Sequence, residues 1–149
     1  MNAGAPLIVA EPPASLARRP RLVVDASVVA AAVFAESSLA EALAWMRGRL
    51  LVAPALIDCE IANAALGKVR RQKLPIAAAA AALEVFAGLE LERHGIDATR
   101  VFALAARYEL TAYDAAYLWL AERLEAPLAT FDDRLGRAAR AHFGGDGPR

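Results

Sequence analysis

The first regular pattern along the chain is Leu22-Val23-Val24, a β-branched apolar run between Pro20-Arg21 and Asp25, which predicts a short strand buried on both faces. Ser27 opens a predicted helix to about Ala35, and Ser38 with Glu41 three residues later reads as a capping box for a helix through Leu43 and Met46 that stops near Gly48. Leu50 to Ala53 predicts a second strand. Pro54 suits the first turn of a long helix to about Arg71, and Pro75 opens an alanine-rich helix ending at Gly88. Leu89 to Leu91 predicts a third strand, followed by helices from about Asp97 to Tyr108 and from Thr111 to Glu125. Pro127-Leu128-Ala129 predicts a fourth strand and Asp132 to Ala141 a last helix. Strands that alternate with helices imply a three-layer α/β domain on a parallel sheet.

Length agrees with one such unit, since 149 residues bury a substantial core without room for a second domain. Residues 1–19, with Pro6, Pro12 and Pro13 and no period, read as a flexible leader or an overlong assigned start. Residues 20–143 hold the patterned domain and 144–149 read as a flexible tail. Alanine supplies about a quarter of the chain, which favours helix. The formal net charge is zero, so contact with a polyanion has to come from a local patch. Cys59 is alone, which excludes an internal disulfide and a multi-cysteine zinc site, and His94 and His142 lack metal-ligand spacing. Asp25 interrupts the one apolar stretch that follows a basic cluster, and no other stretch approaches the ~18 apolar residues of a membrane span. These features point to a cytoplasmic protein.

The chemistry of the chain lies in its acids. Ligand sites of open parallel sheets gather at the carboxyl ends of the strands. Asp25 ends the first predicted strand and Asp132 follows the fourth, so the two meet if those strands are neighbours. Each also suits a helix cap or a first-turn charge. Glu60 has Leu56, Ile57 and Ala64 around it at helical spacing, on a face that should be buried, where a bare carboxylate needs a cation, a hydrogen bond or a proton. Asn63 shares that face and could orient a carboxylate or a water. Asp114 repeats the pattern with Tyr117 and Leu118. Two strand-end acids and two acids on apolar helix faces make an all-oxygen set suited to Mg²⁺ or Mn²⁺.

Four segments carry a resemblance: Val23-Val24-Asp25-Ala26-Ser27, Glu60-Ile61-Ala62-Asn63, Ala112-Tyr113-Asp114-Ala115-Ala116-Tyr117 and Thr130-Phe131-Asp132-Asp133-Arg134-Leu135. In this order and at these separations, residues 21 to about 141 resemble the PIN-domain ribonucleases, most closely the VapC-type toxins of bacterial toxin-antitoxin pairs. The resemblance implies a PIN-like sheet of four to five strands, with Asp25 and Asp114 as principal metal ligands and Glu60 and Asp132 completing the pocket directly or through water. It places Ser27 and Thr130 at hydroxyl positions that brace the carboxylates. It further implies endonucleolytic cutting of structured RNA, tRNA or rRNA above bulk message, together with an antitoxin partner and a homodimer. The chain departs from the family in its long leader, in a last strand reduced to about His142-Phe143, and in its neutral charge.

A pocket of this kind supports metal-dependent hydrolysis of phosphodiesters. Lys68, Arg70, Arg71 and Lys73 form the densest basic run and suit either RNA phosphates or the C-terminal dipole of their own helix. Leu39, Leu43 and Met46 read as a core stripe, while Trp45 and Trp119 are candidates for a dimer or antitoxin surface. Two other functions compete. A haloacid-dehalogenase-like phosphotransferase would also place an aspartate after strand one, but it wants a second aspartate where Ser27 stands. A catalytically silent PIN-like binding module would keep the fold without needing the full acidic set.

Overall fold

The computed structural model describes residues 19–144. Four parallel strands, β1 (Arg21–Val24), β2 (Leu50–Pro54), β3 (Leu91–His94) and β4 (Leu128–Ala129), form one sheet in the order β3, β2, β1, β4. Between and after them run α1 (Ala26–Val33), α2 (Leu39–Met46), α3 (Ile57–Arg70), α4 (Ile76–Ala87), α5 (Ala98–Tyr108), α6 (Ala112–Leu124) and α7 (Asp133–His142). Helices α1 to α4 pack among themselves, while α5 and α7 pack on α6, which lies against β1, β2 and β4. This is the α/β architecture that the alternating pattern implies, with four strands.

The sheet is held from both sides by apolar residues. Val23, Val24 and Val52 are wholly buried. Helix α6 is the most deeply buried helix: every residue from Ala115 to Ala121 is buried. A segment apolar all round belongs inside a protein, and this run sets the small Ala115 and Ala116 beside the larger Leu118 and Leu120, while Tyr113 before it is exposed. The central place of β1, paired with β2 on one side and β4 on the other, brings the loop after β4 beside the end of β1.

Several local expectations shift. Pro54 ends β2 instead of opening α3, a position where its missing N–H costs nothing to the ladder; the next amide, Ala55 N, donates to His94 O at 2.8 Å. Strand β3 begins at Leu91 because Leu89 is still closing α4, its amide donating to Phe86 O at 3.1 Å. The capping box at Ser38 and Glu41 does not form a side-chain cap, although α2 starts where that pattern places it. His142 and Phe143 extend α7 instead of forming a last strand: Phe143 N bonds to Ala139 O at 2.9 Å, and the His142 ring packs edge-on against Tyr108 and Phe143. Nearly all of the expected leader and tail lies outside the described residues.

Candidate active site

Asp25 is where β1 becomes α1. Its amide extends the ladder to Ala129 O at 3.0 Å, while its carbonyl accepts from Val28 N at 3.1 Å and Val29 N at 3.2 Å, so its backbone serves as the N-cap of α1. The side chain makes no cap bond and is therefore available elsewhere. It is the one charged side chain that is buried among the described residues, 5% exposed. Two hydroxyls, Ser27 Oγ and Thr130 Oγ1, donate to the same oxygen, Oδ2, each at 2.7 Å. Both hydroxyls are themselves held by backbone, Ser27 Oγ by Phe131 N at 3.0 Å and Thr130 Oγ1 by Asp132 N at 2.9 Å. Ser27 thus braces Asp25 instead of capping α1, and Oδ1 of Asp25 is left without a hydrogen-bond donor from a described side chain.

The other acids approach from the two helix groups. Thr111 caps α6 by accepting from Asp114 N at 3.1 Å, which sets Asp114, half-buried, on the first turn. Glu60 lies on α3, whose buried stripe is Ile57, Ile61 and Ala65. Glu60 sits at the edge of that stripe and is half-buried, a shift from the buried face expected of it. Its Oε2 accepts a hydrogen bond from the hydroxyl of Tyr117, a side chain with no exposed surface. Burial pushes the Asp25 carboxyl above its ordinary range against the lowering pull of Thr130 and Ser27, and the charge of Asp114 pushes it further up. Burial likewise raises Glu60, opposed by the bond from Tyr117 and reinforced by the charges of Asp25 and Asp114. Asp25, Glu60 and Asp114 are therefore one electrostatic group.

Asp132 stands apart from that group. It is exposed, and its Oδ1 caps α7 by accepting from Leu135 N at 2.7 Å. What links it to Asp25 is Thr130, whose single hydroxyl serves both residues. Among the described residues no three Asp, Glu, His or Cys side chains form a ready-made metal cage, and no Lys, Arg or His pairs with any of the four acids.

Other expected site residues fall elsewhere. Asn63 is exposed and makes no side-chain hydrogen bond to Glu60. Lys68 pairs with Glu36 at 2.6 Å and lies over the Phe34 ring, tying α3 to the end of α1, whereas Arg70, Arg71 and Lys73 are exposed. Trp119 is 5% exposed and belongs to the core, so it is no docking surface, and Trp45 stacks on Phe131 with ring centroids 5.2 Å apart. Tyr117 is the residue that sequence reasoning missed. Its signal was present: of the two phenols on α6, Tyr117 falls within the apolar run Ala115 to Ala121, where a buried hydroxyl needs a partner, whereas Tyr113 is exposed.

Residues 22–141 match the sequence profile of the PIN domain. The chain belongs to the PIN-domain family. This PIN domain is 33% identical over 120 residues to ribonuclease VapC9 of Mycobacterium tuberculosis, across 80% of this chain and 92% of that protein. It is 35% identical over 120 residues to ribonuclease VapC3 of the same organism, across 79% of this chain and 87% of that protein. Its fold is also that of PAE2754 from Pyrobaculum aerophilum, with a TM-score of 0.66 and 24% identity over 82% of this chain and 81% of that one. The four acids, Ser27 and Thr130 all lie within the matched span.

Proposed function

We propose that this PIN domain is an endoribonuclease that uses Mg²⁺ or Mn²⁺, the toxin of a toxin-antitoxin pair, acting on tRNA or rRNA. The observation that carries the reading is the buried Asp25 carboxylate, with Oδ2 held by two hydroxyls and Oδ1 without a side-chain donor, in one electrostatic group with Glu60 and Asp114. The donor set fits a hard divalent cation: it is all oxygen, and an ion would remove both the desolvation cost of Asp25 and the mutual repulsion of the three acids.

In this reading Asp25, through Oδ1, and Asp114 hold the ion, with Glu60 and Asp132 completing the pocket directly or through water. When bound, a divalent ion polarises the phosphodiester, acidifies the attacking water and stabilises the departing oxygen. The protein supplies placement. Ser27 and Thr130 fix the rotamer of Asp25, the Thr111 cap fixes the turn that bears Asp114, and the pairing of β1 with β4 gathers the set at the carboxyl ends of those strands. Arg70, Arg71 and Lys73 are exposed at the far end of the Glu60 helix and would engage RNA phosphates. An antitoxin and a second copy of the chain are the expected protein partners, by similarity to the VapC ribonucleases. No helix among the described residues is long and apolar enough to cross a membrane; a cytoplasmic place of action is expected by similarity to the VapC ribonucleases.

The test is to induce the chain and its Asp114→Asn variant in a bacterium and to sequence new RNA ends. Growth arrest with discrete new ends in tRNA or rRNA, absent from the variant, is the expected result. Equal growth and unchanged RNA in both cultures would refute the toxin reading.

A further inference from the structure

We propose that Tyr117 is a positioning residue for the acidic pocket, its hydroxyl holding Glu60 of α3 in register with Asp114 of α6. The inference rests on the metal-dependent nuclease reading and adds a residue to it. Tyr117 and Asp114 lie three positions apart on α6, one turn, so they are neighbours on a single rigid helix. The Tyr117 ring has no exposed surface and is enclosed by the core that also buries Ala115 to Ala121, so its hydroxyl has little freedom to wander. That hydroxyl ends on Glu60 Oε2, 57 residues away in sequence and in the other helix group. One turn of α6 therefore presents a carboxylate to the pocket and, through the phenol, grips a second carboxylate brought by α3.

The grip works on one oxygen only. With Oε2 engaged by Tyr117, Oε1 is the Glu60 oxygen without a side-chain donor, and the rotamer of Glu60 is chosen by the protein before any ligand arrives. A half-buried glutamate has three side-chain torsions to restrain, and a fixed donor removes that freedom. Burial, together with the bond to Glu60, pushes the Tyr117 phenol well above its ordinary range, so it remains a protonated donor. The same logic operates at Asp25, where Ser27 and Thr130 both occupy Oδ2. Each of these two acids has one oxygen held by hydroxyl donors and one without a side-chain donor.

The experiment is a double-mutant cycle between Tyr117→Phe and Glu60→Ala, reading Mn²⁺ affinity by calorimetry on RNA-free protein and then kcat and KM on an RNA that the wild type cuts. Tyr117→Phe keeps the ring that fills the core and removes only the donor, and circular dichroism with a thermal melt establishes that it is folded. The expected result is a Mn²⁺ affinity about tenfold weaker, a lower kcat with KM unchanged, and no further loss when Tyr117→Phe is added to Glu60→Ala. Tyr117→Phe with wild-type Mn²⁺ affinity and kcat, or losses that add in full, overturns the positioning role while leaving the nuclease reading intact. Wild-type protein that binds no Mn²⁺ overturns that reading and the role together.

Discussion

Thr130 Oγ1 stands 2.7 Å from Asp25 Oδ2 and 2.9 Å from Asp132 N, so a single hydroxyl joins the end of β1 to the start of α7 across 105 positions of sequence. The pairing of β1 with β4 makes this possible, because it sets Ala129 beside Val24 and leaves Thr130 level with Asp25.

Replacing Thr130 with Val should expose how much depends on that hydroxyl. The shape is kept, but Asp25 loses one of two donors to Oδ2 and Asp132 N loses its acceptor. We expect a destabilisation of about 1–3 kcal/mol by denaturant melts, and an Mn²⁺ affinity ~10–100-fold weaker by calorimetry. A variant with unchanged affinity would show that Ser27 suffices to hold Asp25.

Asp25→Asn should separate stability from function. It removes a buried charge that has no cation partner among the described residues, so the metal-free protein should melt at an equal or higher temperature, with a gain of up to ~2 kcal/mol. RNA cleavage should disappear, and millimolar Mg²⁺ should raise the melting temperature of the wild type but not of the variant. Loss of stability in metal-free Asp25→Asn would mean that the ionised carboxylate is itself a structural brace.

The pH dependence of the metal-free protein has a definite sign. Asp25 and Glu60 have carboxyls raised in the folded state above the ordinary 3.8 and 4.5. Over the window between those values and the raised ones, the folded chain keeps protons that the unfolded chain has released. Stability from these two groups is thus fully present at acid pH and is lost as pH rises through their folded values. Denaturant melts in EDTA should show wild type losing stability relative to Asp25→Asn over this window. Saturating Mg²⁺ should oppose the loss, since the ion requires the ionised carboxylates. A wild-type curve that gains on the variant as pH rises would contradict the desolvation of Asp25.

The basic run should divide in two. Changing Arg70, Arg71 and Lys73 together to Ser should flatten the salt dependence of RNA binding by roughly 0.7 in log–log slope for each lost contact with single-stranded RNA. Lys68→Ala should leave that slope unchanged and cost ~0.2–1 kcal/mol of stability through its pair with Glu36. An equal effect of all four on the slope would return Lys68 to the RNA surface.

The sequence by itself determined the alternation of elements, because strand-forming β-branched runs, helix caps at Asp97 and Thr111, and the stop at Gly48 act through neighbours along the chain. It also determined the candidates Asp25 and Asp114, which local rules place at a strand end and in a first helical turn. The tertiary structure decided everything that needs a partner from afar. The neighbourhood of β1 and β4 follows from strand order, which no local pattern encodes. The edge position of Glu60 depends on which stripe of α3 the core accepts: Ile57, Ile61 and Ala65 are buried, while Leu56 and Ala64 are half-buried. Trp119 lies in the core because it falls within the buried run Ala115 to Ala121 of α6, and Tyr117 meets Glu60 because two helix groups converge at the same end of the sheet. Residue types decide what an acid can do; only the packing of distant segments decides which of its oxygens remains free to do it.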